Sequence, residues 1–113
     1  RQRARAAVEV AERERELARA KLERRAELHG LELERAALEQ QRIDRQQCVE
    51  LAERRLQAQL VLYQQGRLAA GELARTQLEA ARERAELAIS EGASWAALCR
   101  HDALQRAGVA SAP

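Results

Sequence analysis

Apolar residues recur at spacings of three and four over most of this chain. Across residues 4–64 one stripe runs Leu17, Ala20, Leu28, Leu31, Leu38, Val49, Ala52, Leu56, Leu60 and Tyr63. A second, alanine-rich stripe uses Ala4, Val8, Ala11, Ala18, Leu22 and Ala26. Such spacing is what one face of an α-helix requires, and no proline interrupts it, so a long helix is expected over 4–65. The stripe thins at residues 39–47, where Ile43 is the one apolar side chain, and His29-Gly30 is a soft point for a kink or a second corner. Beyond residue 71 the pattern is stricter. Ala74, Leu78, Ala81, Ala85, Ala88, Gly92, Trp95 and Cys99 follow one another by fours and threes, a coiled-coil seam.

Between these runs lies Leu60-Val-Leu-Tyr-Gln-Gln-Gly66-Arg-Leu-Ala-Ala-Gly71-Glu-Leu-Ala74, with two glycines five positions apart. Glycine costs about 1 kcal/mol in a helix interior, while the surrounding Ala, Leu, Glu, Arg and Gln lose little freedom there. The expected fold is all-α: a long antiparallel helical hairpin, a coiled coil whose first helix is longer than the second. It is one domain over 1–113, with helix 4–65, a tip at 66–71, a return helix 72–107 and a disordered tail 108–113. Ser90-Glu-Gly-Ala-Ser94 offers a break at 90–94, with Ser94 capping a last piece that holds Trp95 and Leu98. Trp95 is then an anchor of the open end or of an oligomer contact. A return helix ending at 107 covers the first only back to about residue 30. Residues 1–29 therefore project, on the order of 43 Å of striped helix, which calls for a homo-oligomer, a partner helix, or a fold-back at His29-Gly30.

Composition narrows the class of protein. Phe and Met are absent, and one Trp and one Tyr are the whole aromatic complement. The apolar residues are thus mostly Ala and Leu, which suits thin helix–helix seams better than a thick core. Twenty basic and 18 acidic residues leave a net charge of +2, spread along the chain. No basic face emerges, which argues against nucleic acid. No run of about 18 apolar residues exists, so no membrane-spanning segment is expected. In the expected register Cys48 and Cys99 stand on the order of 15 Å apart, against the roughly 7 Å between Cα atoms that a disulfide tolerates. Two unpaired thiols lean toward a reducing compartment, and a role as small buried hydrophobes explains them equally well.

Chemistry-bearing clusters are missing. Cys99, His101 and Asp102 are close in sequence, but helical residues two apart face different sides, and no second cluster completes a metal site. Gly66 and Gly71 lack the Lys-Ser/Thr pair of a phosphate loop. Pairs such as Glu12–Arg15, Glu50–Arg54 and Glu79–Arg82 are surface pairs worth a few tenths of a kcal/mol each. No enzyme, cofactor or metal is expected.

The corner itself resembles known proteins. Tyr63-Gln-Gln-Gly66, followed by Leu68, Ala69, Glu72 and Leu73, is similar to the tip of the helical hairpins in bacterial tripartite export systems. TolC-type outer-membrane factors carry a Tyr-x-x-Gly corner, then a small Ser-like residue and an Asp six after the glycine. HlyD-like periplasmic adaptors carry Leu-Tyr-x-x-Gly, then Ser and Glu-Leu. Ala69 stands where both have the small residue, Ala58 where adaptors have Arg, and Gly71 is additional. The resemblance implies a non-catalytic hairpin for efflux or type I secretion. It would dock a partner protein through Tyr63, Gly66, Arg67, Leu68, Ala69, Glu72 and Leu73, and its expected location is the periplasm. Because barrel, lipoyl and membrane parts are missing, the chain would then be a fragment. Coiled-coil stalk proteins of type III secretion and flagellar export look similar too and imply the cytoplasm. A generic coiled-coil oligomerisation module is the third reading.

Overall fold

A computed structural model describes residues 1–110, with side chains given through residue 108. Two helices make up the described chain: α1 (Gln2–Gln64) and α2 (Ala70–Ala110). They lie antiparallel in a rod of 97 × 18 × 15 Å. Sixty-three residues at 1.5 Å each extend about 95 Å, so α1 sets the length of the molecule and the width is that of two helices. The hairpin expected from the sequence is the fold, and its first helix is the longer one. α1 passes Gly30 without interruption, which removes the fold-back into three helices.

The inner face of α1 matches the first stripe in its C-terminal two-thirds. Val49 is buried, and Leu28, Leu31, Leu38, Ala52, Leu56 and Leu60 are half-buried. Tyr63 is 44% exposed. The face of α2 that meets them is not the expected one. Leu73, Thr76, Ala80, Glu83, Leu87, Ser90, Ser94, Ala97, His101, Leu104 and Gly108 form the inner seam, all buried or half-buried. They too are spaced by strict threes and fours. The expected seam Ala74–Cys99 lies instead about 150° around the helix, counting 3.5 residues per turn. Its members are exposed, Leu78 at 52% and Trp95 at 67%. Trp95 therefore anchors nothing within the hairpin.

Two physical reasons select the inner face. Leu73, Leu87 and Leu104 lie on it, and burying a leucine contributes about 1.5–3 kcal/mol where an alanine adds little. Two of the polar positions between them hydrogen-bond to polar positions on α1, Thr76 to Gln59 and Ser94 to Glu39. Thr76 Oγ1 donates to Gln59 Oε1, with the Glu72 carbonyl 3.3 Å away as the other acceptor within reach of the same proton. Ser94 Oγ donates to Glu39 Oε2 at 3.1 Å, and His101 Nε2 lies 3.6 Å from Glu32 Oε1. The apolar gap of α1 at residues 39–47 is thus answered at one end by Ser94. α2 stays helical through 90–94, where the sequence offered a break, and Gly92 causes none. The helix continues through residues 108–110 of the expected tail; residues 111–113 lie outside the described part.

Ion pairs between the helices fix the antiparallel register: Arg55–Glu79 at 3.2 Å, Arg84–Glu53 at 3.1 Å, Arg45–Glu86 at 3.9 Å and Arg100–Glu34 at 2.8 Å. Their side chains are all more than a third exposed, so each contributes modestly. This register keeps Cys48 and Cys99, both exposed, about 20 Å apart along the rod. At the open end the Arg24 side chain lies beside Gly108, 3.7 Å from where a Cβ would stand. Coverage of α1 thus reaches residue 24, beyond the expected 30, because α2 runs past 107. Residues 1–23 project, about 34 Å of helix, with Val8, Val10, Leu17 and Leu22 each more than half exposed.

Candidate docking tip

The corner is built by one glycine. Gly66 has φ 70°, in the left-handed region, where a Cβ costs roughly 1–2 kcal/mol. Its N–H donates to the Tyr63 carbonyl at 2.9 Å, and the Arg67 N–H donates to the Leu62 carbonyl at 2.9 Å. This is the Schellman pattern, which satisfies the carbonyls left over at a helix C-terminus. A Cβ at Gly66 would meet no atom within 4 Å, so backbone conformation alone demands glycine there.

Gly71 has a different standing. It sits in the first turn of α2 with a negative φ and open space around it, so nothing requires glycine. Ala69 occupies the N-cap position: its carbonyl accepts the Leu73 N–H at 3.2 Å and the Glu72 N–H at 3.1 Å. It offers no side-chain cap, whereas Glu72 in the first turn complements the helix dipole. The two helix ends are therefore closed differently, α1 by a glycine motif and α2 by charge.

Of the seven residues singled out at the corner, Tyr63, Gly66, Arg67, Ala69 and Glu72 are exposed and Leu68 is half-buried. Leu73 is 7% exposed; it packs in the inner seam and leaves the outer surface of the tip. The loop is 65–69, starting one residue before the expected 66–71 and ending two before it, because Ala70 and Gly71 are already helical. Arg67 and Glu72 put one charge of each sign on a surface that also shows the Tyr63 ring.

Away from the tip, Cys99 and Asp102 are exposed, and Asp102 pairs with Arg106 at 3.2 Å. His101 turns into the seam, 6% exposed, so the structure does not bring the three together. Among the described residues no group of three His, Cys, Asp or Glu could hold a metal ion. No described helix is long and apolar enough to cross a membrane. Midway along the rod, Arg42 grips Glu39 through Nε and Nη2, the shortest contact 2.7 Å. That hydrogen bonding holds the Arg42 guanidinium above its ordinary range and, with help from Ser94, the Glu39 carboxyl below its own.

The fold and the corner define a class: a slender antiparallel helical hairpin that presents a glycine-closed tip at the end of a rod. Comparison with family models, curated proteins and solved structures finds no match to this chain.

Proposed function

We propose that this hairpin is a non-catalytic spacer that docks a partner protein through its tip, as a component of a bacterial export apparatus. The observation that carries the docking half is the corner. Gly66 turns the chain so that Tyr63, Arg67, Ala69 and Glu72 stand together, exposed, at the closed end of a 97 Å rod. A rod so thin encloses no large interior site, and its ends are where it reaches other molecules. The export half rests on the resemblance of Tyr63-Gln-Gln-Gly66 and the following residues to tripartite-system hairpins. In that setting the periplasm is the location, and an efflux or type I secretion assembly is the context. Projecting residues 1–23 supply a second contact for a partner helix.

A photo-crosslinking side chain tests the tip. At Arg67, in the cells that make the protein, it captures a defined partner; at Arg54, on the rod, it does not. Ala69→Arg abolishes capture from a crosslinker at position 67, and the double variant Arg67→Glu with Ala69→Arg abolishes export while circular dichroism stays unchanged, since the turn is made by their backbone groups and not by their side chains. Equal capture from both positions, or undiminished export by the double variant, would overturn the reading.

A further inference from the structure

The face of α2 turned away from α1 is more uniformly apolar than the face it buries. The inner seam contains Thr76, Glu83, Ser90, Ser94 and His101. The outward stripe, Ala74 to Cys99, contains only small or apolar residues, and it is exposed along its length. Ile89 beside it is 68% exposed and Trp95 within it 67%. A helix apolar on two opposite faces belongs between two neighbours. An unbroken heptad stripe of about 38 Å fits one kind of neighbour, a second helix following the same left-handed course.

The stripe is complementary to itself when reversed. We propose that two copies of the hairpin pair antiparallel through the outward faces of α2, about a two-fold axis between Ala85 and Ala88. That register sets Leu78 against Trp95 of the second copy and Ala85 against Ala88. It also sets Ala81 against Gly92, and Ala74 against Cys99. Large side chains meet at both ends, and the small residues at the centre let the backbones approach. On one flank Arg84 meets Glu91 of the second copy, twice by symmetry. Arg84 is still 55% exposed after pairing with Glu53 in its own hairpin. On the other flank the aliphatic stem of Arg82 covers Ile89. A parallel pair gains none of this: its flanks match Arg84 with Ile89 and Glu91 with Ala96, and both Trp95 rings crowd one layer. The two-fold arrangement is isologous and closes on itself, so it yields dimers and not filaments.

The experiment is solution mass across a micromolar concentration range, with a cross-link to read the register. The whole chain runs at twice its 12.7 kDa. Ala85→Glu with Ala88→Glu brings four carboxylates together at the axis and returns it to the single-chain mass. Helical circular dichroism persists, because both positions are exposed in one hairpin and Glu is a good helix former. Ala74→Cys in a Cys48→Ser background oxidises to a covalent dimer, and adding Cys99→Ser abolishes it. Positions 74 and 99 are about 38 Å apart in one helix, so that bond joins two copies. Single-chain mass at every concentration overturns the proposal, as does a dimer indifferent to the paired glutamates. A Cys99–Cys99 link formed by Cys48→Ser alone also overturns it, since it reports a parallel pair.

Discussion

Three small residues at the corner differ in what they do, and substitution separates them. Gly66 is left-handed, so Gly66→Ala lowers stability by about 1–2 kcal/mol, read as a shifted denaturant midpoint. Gly71 is an ordinary first-turn residue of α2, and Gly71→Ala raises stability by up to about 1 kcal/mol in the same measurement. A result with these signs reversed would show that the turn is made elsewhere. Ala69→Ser places a hydroxyl at the N-cap three residues before Glu72, completing a capping box, and gains about 1 kcal/mol. From sequence the two glycines looked alike, because a glycine's φ depends on the chain around it.

At the scale of the element, α2 carries two heptad stripes, and only one is in the hairpin. Ala80 is 1% exposed, so Ala80→Leu overpacks the seam and costs about 1–3 kcal/mol. Its neighbour Ala81, a member of the outward stripe, accepts leucine within about 0.5 kcal/mol in dilute protein. Equal effects at the two positions would mean that the faces are assigned wrongly. Counting apolar residues selects the outward stripe because it ignores what the partner offers. Thr76 and Ser94 are good seam residues once Gln59 and Glu39 stand opposite. The Glu39–Arg42 pair also sets an acid response. The Glu39 carboxyl is held below the ordinary carboxylate range, first by its hydrogen bonds from Arg42 and then by Ser94. A lowered folded value means stabilisation present above the ordinary carboxylate range and lost as pH falls through the folded value. Arg42→Gln moves the Glu39 titration back up, which carbon NMR of the carboxyl follows.

The whole molecule is a rod with a covered part and a projecting part. Its stability accumulates along the seam, because the buried apolar members Val49, Leu73, Ala80 and Ala97 are few and small and no single layer dominates. Residues 1–23 pack on nothing within the hairpin. Deleting residues 1–20 therefore leaves the unfolding midpoint of the hairpin unchanged, and their amides exchange much faster than those of Val49 or Ala80. Slow exchange over residues 1–23 in dilute protein would show that the projection is covered after all. Tip and outward face of α2 are separate surfaces, so tip variants and axis variants act independently.

Sequence by itself determined the helices, the reversal and the unequal lengths. Each follows from local terms: Ala, Leu, Glu and Arg favour helix, Gly66 breaks it, and 63 residues outreach 41. It also placed the inner face of α1, where Leu28, Leu31, Leu38, Leu56 and Leu60 share one stripe. Only the tertiary structure decided which side of α2 faces inward, how far coverage reaches, and that Leu73 belongs to the seam and not to the tip. Those depend on pairing across the rod, where a threonine matched by a glutamine packs as well as an alanine, and periodicity along one helix contains no information about the other.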